Sequence, residues 1–334
     1  MPYEIWNRRY TGSKYKLADW IFEIIDANCS GSSFCDIFAG TGIIAKNALN
    51  RMSDVVINDF LYSNEIIYKA FFLQSPYNKE RIEYYKDVFQ SLRASELQEN
   101  YVSTNYGDKF FALNDAIIIG EIRERIASAK DLSEKEQAIL IASLLYSADK
   151  IANTVGHYDA FIKGHTLKEQ FKYELISPYQ TDSKICIYRE DANVLAKSLN
   201  CDIVYIDPPY NSRQYSRFYH VLENIATWRK PELYGVALKP KPENMSEYCR
   251  NTALTAFASL IYDLRCKYIL VSYNNTYASK SSSSLNKMTL DNIQQVLASK
   301  GKVTCFETAH AYFNAGKTNF ANHKEMLFLV EVNK

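Results

Sequence analysis

The feature that most constrains the fold is a strand, glycine turn, helix, strand pattern that ends at Asp59. Residues 33–38 form a short apolar run of strand length, residues 39–42 are a glycine turn, and a helical pattern follows. A second apolar run, residues 54–58, ends directly before Asp59. This alternation predicts the start of a doubly wound parallel sheet, in which ligands bind at the carboxyl ends of the strands.

The rest of the chain divides into an insert and a continuation of the sheet. Between residues 77 and 183 strand signals fade and helical patterns dominate, with Ser133 and Glu136 spaced as a capping box. Further strands are predicted at 184–188, 202–206, 268–272 and 325–332, and helices at 16–28, 121–129, 133–151, 219–228, 253–264 and 290–299. The serine run 280–284 is expected to be a flexible loop. We therefore predict an α/β fold with a Rossmann-like sheet domain (1–76 and 184–334) and an inserted, mostly helical domain (77–183).

Composition excludes several classes of protein. The 39 Lys and Arg residues nearly balance 38 Asp and Glu, so this is no polyelectrolyte binder, although a local basic face would suffice for nucleic acid. The seven cysteines form no CxxC pair, and none lies near a histidine at metal-ligand spacing, so we expect neither disulfides nor a metal site. No apolar run has membrane length and the N-terminal segment lacks a signal-peptide core, so we expect a cytoplasmic protein.

The glycine turn and Asp59 are candidate parts of a nucleoside site. Glycines let the backbone turn tightly beside a ligand, and a carboxylate ending the next strand can accept both hydroxyls of a ribose. The spacing is not GxGxxG, which disfavours a dinucleotide and favours a nucleoside without a pyrophosphate. The alternative is a structural turn with a capping aspartate.

The most specific motif is Asp207-Pro208-Pro209-Tyr210, which directly follows the apolar strand 202–206. The prolines restrict the backbone and remove two amide donors, while their carbonyl groups can still accept hydrogen bonds. Asp207 and the Pro208 carbonyl could therefore hold an exocyclic amino group between two acceptors. Tyr210 offers a flat face on which a base can stack.

These motifs together resemble those of the N6-adenine DNA methyltransferases, specifically the Dam-like (alpha) group. The resemblance rests on four elements in the same order: YTGSK (10–14), FAGTG (38–42), Asp59 and DPPY (207–210). It covers most of the predicted sheet domain and is weak across the insert. It implies a Rossmann-like class I methyltransferase sheet with an inserted DNA-recognition subdomain, and methyl transfer from S-adenosylmethionine to adenine.

The resemblance also implies roles for individual residues. The DPPY residues, Asp207, Pro208, Pro209 and Tyr210, are the expected catalytic residues. The expected cofactor-binding residues are Tyr10 and Lys14 near the methionine end, Asp36, Phe38, Gly40 and Gly42 in the strand and turn, Asp59 as the ribose clamp, and Asp191 at the cofactor adenine. For Asp191 the alternative is a helix N-cap, and for Lys14 a solvated lysine in a basic cluster.

Adenine N6 is inaccessible within a duplex, so we expect double-stranded DNA as partner and flipping of the target base. Phosphate-contact candidates follow the motif and include Arg213, Tyr215 and Arg217, the two arginines being i,i+4 if the segment is helical. Lys239, Lys241, Lys317 and Lys324 are weaker candidates. In the insert, the aromatic loop 156–161 with His157 and Tyr158 is the candidate base-reading loop; the alternative is a packed loop.

Other functions are compatible with parts of the pattern. DPPY does not separate DNA from RNA, so an RNA adenine N6-methyltransferase is the nearest alternative. A nicotinamide-dependent oxidoreductase would leave DPPY unexplained, and a catalytically silent DNA-binding protein would leave its intact motif set unexplained. We expect a monomeric modification enzyme that needs no membrane and no metal, and that belongs with a cognate restriction endonuclease.

Overall fold

The computed structural model describes residues 2–164, 166–275, 285–309 and 324–333. Within these ranges the strands are β1 (Ser33–Asp36), β2 (Asp54–Asn58), β3 (Lys184–Tyr188), β4 (Ile203–Ile206), β5 (Tyr268–Asn274), β6 (Gly301–Ala309) and β7 (Lys324–Val332). The helices are α1 (Ala18–Asn28), α2 (Ile43–Ala48), α3 (Tyr62–Phe72), α4 (Lys79–Ser91), α5 (Tyr101–Tyr106), α6 (Leu113–Ser128), α7 (Glu134–Ile151), α8 (Ala192–Ala196), α9 (Tyr215–Phe218), α10 (His220–Thr227), α11 (Ala253–Asp263) and α12 (Leu290–Ala298).

The strands form one sheet in the order β3-β2-β1-β4-β5-β7-β6. Strands β3, β2, β1, β4 and β5 run parallel to one another, whereas β7 is antiparallel to both β5 and β6. The strand order reverses between β1 and β4, which is where ligands bind in open α/β sheets. This order, with its antiparallel β7, confirms the expected Rossmann-like methyltransferase sheet.

Apolar side chains on one face of the sheet join α8, α11 and α12 in a single hydrophobic cluster. Val204 and Ile206 of β4 alternate with residues on the opposite face, and both are completely buried. Each such side chain contributes about 1.5–3 kcal/mol when buried. Both faces of β4 are buried, which explains why its sequence is a continuous apolar run and does not alternate between apolar and polar residues.

The sequence missed several elements, and their patterns explain why. Strand β6 is half-exposed and mixes charged with apolar residues, so it lacks an apolar run. Helix α6 begins at Leu113, eight residues before the predicted start, and helices α3, α4 and α5 were not predicted. The capping box of α7 is confirmed, because the side chains of Ser133 and Glu136 each accept from the other's backbone N–H.

The chain divides into two compact units, each built from three segments. The helical unit comprises Met1–Gly12, Leu61–Gln180 and Ser216–Glu243, and the sheet unit comprises Ser13–Phe60, Thr181–Tyr215 and Asn244–Lys334. All seven described strands belong to the sheet unit. The division into residues 77–183 and the two flanking segments, with target recognition in the insert, stays a prediction.

Two predictions fall outside the described residues, namely the flexible loop 280–284 and the phosphate contact at Lys317. Among the helices that the structure does describe, none combines the length and the apolar character needed to span a membrane.

Candidate active site

The glycine turn after β1 is closed by a hydrogen bond to Asp59, which directly follows β2. Gly40 and Gly42 have φ values of 53° and 77°, which residues other than glycine rarely adopt. The Gly40 amide donates to Asp59 Oδ2 at 2.9 Å. Asp36, at the end of β1, is 1% exposed and accepts from the Ala45 amide at 3.2 Å through Oδ2. Asp59 thus shapes the turn, in addition to being the predicted ribose clamp.

Asn58, which sequence analysis missed, ties together the carboxyl ends of three neighbouring strands. Its Nδ2 donates to the carbonyl groups of Ile37, after β1, and Glu190, after β3, at 3.0 and 3.1 Å. Its Oδ1 accepts from the Glu190 amide at 3.0 Å, and the side chain is 1% exposed. Asn58 therefore holds in register the loops that carry the predicted cofactor residues. Its position directly before Asp59 was the available signal.

Both carboxylate oxygens of Asp207 are engaged at the end of β4. Lys14 Nζ lies 2.8 Å from Oδ2, and the Tyr210 hydroxyl donates to Oδ1 at 2.5 Å. Lys14 is 5% exposed, so it is not the solvated lysine that was weighed as the alternative. Among the described residues none donates a hydrogen bond to the Pro208 carbonyl. The motif therefore presents a carboxyl acceptor beside a carbonyl acceptor, and its binding of an exocyclic amino group stays a prediction.

Three carboxyl groups, those of the buried Asp36 and Glu325 and the half-buried Asp207, interact with Lys14. Burial raises the pKa of Asp36 well above its usual value, and the charge of Asp207 raises it further. Burial also raises the pKa of Asp207, but Lys14 and the Tyr210 hydroxyl oppose that shift. Burial alone would lower the pKa of Lys14, yet Asp207 and Glu325 more than offset it, so that the lysine stays charged. Glu325, on β7, is 7% exposed and was not predicted as a site residue.

Tyr210 is positioned from several directions. Its ring centroid lies 4.5 Å from that of Tyr273 at a tilt of 54°, and Lys14 Nζ is 5.1 Å from the same ring. The Lys287 amide donates to its carbonyl at 2.7 Å. The hydroxyl contact with Asp207 couples the two ends of the DPPY motif. Stacking of a base on the half-buried ring stays a prediction.

The other predicted cofactor residues occupy different surroundings. Phe38 packs edge-on against Tyr248 at 5.0 Å between centroids. Asp191 caps α8, its Oδ1 accepting from the Asn193 and Val194 amides at 2.9 and 3.3 Å. The structural role of Asp191 is therefore present, and its contact with a cofactor adenine stays a prediction.

Tyr10 belongs to the helical unit. Its ring stacks on Tyr219 with 4.8 Å between centroids and 7° between planes, and Arg8 lies 4.7 Å from the ring centroid. Its predicted place beside the methionine end of a cofactor is untested.

The phosphate-contact candidates do not share one helix. Helix α9 is a single turn that begins at Tyr215, so Arg213 precedes it and the conditional i,i+4 pairing of Arg213 with Arg217 is wrong. Arg217 Nη1 donates to the Pro240 carbonyl at 2.5 Å, which employs part of its guanidinium within the protein. Tyr215 is half-buried.

The candidate base-reading loop needs one correction. Tyr158 is 1% exposed, donates from its hydroxyl to Asp149 Oδ1 at 2.9 Å, and packs against Phe110. A side chain in that position cannot meet a base in this structure, because it is part of the core of the helical unit. His157 is half-buried and stacks on Phe218 at 4.4 Å between centroids.

The described ranges hold no cluster of three or more His, Cys, Asp or Glu side chains that could bind a metal ion. The arrangement at the end of β4 is instead suited to binding an amino group and a cationic ligand through buried carboxylates.

Comparisons with known proteins show the family of this chain. Residues 10–300 match the model of the D12 class N6 adenine-specific DNA methyltransferases. The chain is 29% identical to Type II methyltransferase M.NlaIII of Neisseria lactamica over 94% of this chain and 95% of that one. It is 30% identical to Type II methyltransferase M.CviAII of Paramecium bursaria Chlorella virus 1, over 97% and 98%. With Type II methyltransferase M.FokI of Planomicrobium okeanokoites it shares 33% identity over 80% of this chain and 44% of that one.

Proposed function

Because this chain belongs to the D12 class of N6 adenine-specific DNA methyltransferases, we propose that the carboxyl ends of β1, β2 and β4 bind S-adenosylmethionine and a flipped adenine of duplex DNA. The protein is thus an adenine-specific DNA methyltransferase, and the proposal concerns how its own residues carry out the transfer. The observation that carries it is the half-buried Asp207, bound by Lys14 and Tyr210 beside the Pro208 carbonyl.

The residues present fit such a cofactor. S-Adenosylmethionine carries a sulfonium and an ammonium group, and three carboxyl groups around Lys14 favour a cationic ligand. Asp36 Oδ1 is buried with no hydrogen-bond partner among the described residues, which leaves an acceptor for a ligand donor. Phe38, Gly40 and Gly42 would line the cofactor, and Asp59 would bind its ribose. The bound cofactor supplies the electrophilic methyl group.

Asp207 and Pro208 orient the amino group that receives the methyl. An adenine amino nitrogen is a poor nucleophile because its lone pair is delocalised into the ring. Acceptance of its two hydrogens by the Asp207 carboxylate and the Pro208 carbonyl favours a pyramidal nitrogen whose lone pair is directed at the methyl carbon. The new bond from nitrogen to carbon would replace the bond from carbon to sulfur, whose electron pair would stay on the sulfur as the thioether leaves. A carboxylate has about four lone-pair sites, so the Lys14 and Tyr210 contacts leave room for this hydrogen bond. Orientation and preorganised charge supply most of the rate.

The proton that the product nitrogen must lose can leave after the transfer, so Asp207 does not need to be a strong base beforehand. No cysteine lies within the DPPY motif or next to it, which fits direct transfer without a covalent enzyme–base adduct. Tyr210, placed by Tyr273 and Lys287, would stack on the extruded base and offset part of the few kcal/mol that flipping costs.

The three relatives are named Type II methyltransferases, and we propose that this chain acts as the modification enzyme of a restriction-modification system and that it is a monomer. Modification-sensitive sequencing of DNA from cells that express the protein tests the function. We expect N6-methyladenine at one short motif in cells with the wild-type chain and none in cells with Asp207→Asn. Methylation confined to RNA, or modification of a base other than adenine, would contradict the proposal.

A further inference from the structure

A short turn in the helical unit has an unusually constrained backbone. Tyr234 and Lys239 exchange two backbone hydrogen bonds at 2.8 and 3.0 Å across the turn. Within it Gly235 and Leu238 have φ values of 69° and 54°. The left-handed conformation is unfavourable for a non-glycine residue such as Leu238. Such a conformation persists only where the surroundings impose it.

Three side chains outside the turn contact it, namely those of His220, Arg217 and Asp159. His220, fully buried on α10, places Nε2 2.8 Å from the Ala237 carbonyl and Nδ1 3.0 Å from the Arg217 carbonyl. Arg217 donates to the Pro240 carbonyl. Lys239 forms an ion pair with Asp159, which lies in the predicted base-reading loop. The turn and that loop are therefore joined to each other and to α9 and α10.

The side chains at the tip of this braced turn are apolar and exposed. Val236 is 75% exposed and Tyr234 is 44% exposed. Val155 and Ile162, which flank the predicted base-reading loop, are 47% and 45% exposed. Exposed apolar side chains on a rigid support are typical of binding surfaces, because little conformational entropy is lost when the partner binds.

The charges around these side chains favour a nucleic acid as the partner. Loop 155–163 and turn 234–241 carry Lys163, Lys239 and Lys241 against Asp159, and Arg217 adds a further positive charge beside them. Glu232, to which the Tyr234 hydroxyl donates at 2.6 Å, adds one negative charge, so that positive charges still outnumber negative ones. Lys241 is exposed and forms no ion pair with any described residue. A backbone phosphate would complement that charge.

We propose that loop 155–163 and turn 234–241, together called the reading surface, contact duplex DNA, with Val236 against base edges and Lys241 against phosphate. The proposal rests on the proposed function and extends it, since turn 234–241 lies outside the predicted recognition insert. An exposed valine can discriminate bases through apolar contact with a thymine methyl group, which only the major groove presents. The reading surface thereby replaces the buried Tyr158 as the source of specificity.

The test compares Val236→Ser with Val194→Ser, an exposed valine (52%) on α8 of the sheet unit. Dissociation constants are measured for a duplex that contains the preferred sequence and for a scrambled duplex. For Val236→Ser we expect the specific constant to rise about 10-fold while the scrambled one stays unchanged, which corresponds to losing one apolar base contact. Val194→Ser should change neither constant.

Lys241→Gln provides a second, different signature. It should weaken binding to both duplexes equally and reduce the slope of log K against log salt by about 1, because one phosphate contact is lost. An unchanged ratio of specific to scrambled binding in Val236→Ser would overturn the proposal. So would a change in sedimentation of that variant with DNA binding intact, which would make the surface a contact between copies of the chain.

The preferred duplex is found by sequencing a random-sequence duplex library before and after binding to the wild-type protein. This selection does not depend on methyl transfer. A wild-type protein that binds DNA selectively but methylates no adenine would contradict the proposed function, and the Val236 comparison would still decide the role of the reading surface.

Discussion

The carboxyl ends of the parallel strands in the sheet unit and the reading surface of the helical unit differ in how their functional side chains meet water. At the sheet edge, Asp36 and Lys14 are buried and Asp207 is half-buried, and burial together with their mutual interactions shifts their pKa values. On the reading surface, Val236 is an apolar group left in water, on a turn that the buried His220 contacts. Chemistry here thus depends on titratable groups withheld from water, whereas recognition depends on exposed shape. Substitutions should therefore affect rate in one region and discrimination in the other.

The largest effect is expected from Asp207→Asn, which removes the acceptor charge and keeps the shape. We expect kcat to fall about 1000-fold, the order found when one transition-state hydrogen-bonding group is removed, while the cofactor dissociation constant changes much less. Single-turnover methyl transfer and calorimetric cofactor titration measure the two quantities.

The matched control is Asp202→Asn at the opposite end of β4. Asp202 pairs with Lys267 at 2.8 Å and accepts from the Ser32 amide at 2.8 Å. We expect it to lower Tm by a few degrees through a loss of about 1 kcal/mol, with kcat unchanged. Equal losses of kcat in both variants would show that the charge at the DPPY motif has no special role.

Lys14→Met should shift the pH dependence of transfer. Burial raises the pKa of Asp207 and the Lys14 ammonium opposes that rise, so removal of Lys14 raises this pKa further. The carboxylate is the active form, so activity is present above the pKa and is lost as pH falls through it. The acid limb of the kcat profile should therefore move to higher pH, by about one to three units for loss of a close opposite charge.

Lys14→Arg keeps the charge and should restore most of the wild-type profile. Thermal unfolding of both variants separates this effect from the instability caused by an unpaired buried carboxylate. A uniform loss of activity in Lys14→Met, with the pH profile unmoved, would mean that the lysine does not act through Asp207.

A smaller effect is expected from Asn58→Ala, which removes three hydrogen bonds between neighbouring strand ends. The cofactor dissociation constant should rise about 10-fold, since misalignment of the turn weakens contacts worth about 1.4 kcal/mol in total, with DNA affinity unchanged. Asn58→Asp keeps the acceptor for the Glu190 amide and should recover part of the loss.

Asn47→Ala, which removes one hydrogen bond within α2, is the control. A lower Tm with unchanged cofactor affinity would make Asn58 purely structural.

The smallest effect is expected from Tyr158→Phe in the helical unit. The variant loses the hydroxyl bond to Asp149, so the free energy of unfolding should fall by about 1 kcal/mol. The ratio of specific to scrambled DNA binding should stay as in the wild type, in contrast to Val236→Ser. Lost discrimination without lost stability would return Tyr158 to the role of a base-reading residue.

Local sequence pattern was sufficient to predict the sheet strands other than β6 and the positions of the functional loops. Strands β1, β2 and β4 are apolar runs, and the glycine turn, Asp59 and the DPPY motif directly follow them. A residue that follows a parallel strand must lie at the carboxyl edge of the sheet, so local pattern was enough to place these groups together.

Only the tertiary structure decided which side chains pair and which are buried. The Lys14–Asp207 ion pair and the Asn58–Glu190 hydrogen bonds join residues far apart in the chain, and Glu325 reaches the cluster from an antiparallel strand. The burial of Tyr158 and the exposure of Val236 could not be predicted from local pattern either, since the tyrosine lies in the core of the helical unit and the valine lies in water. Burial depends on what other segments cover, and a local pattern carries no information about those segments.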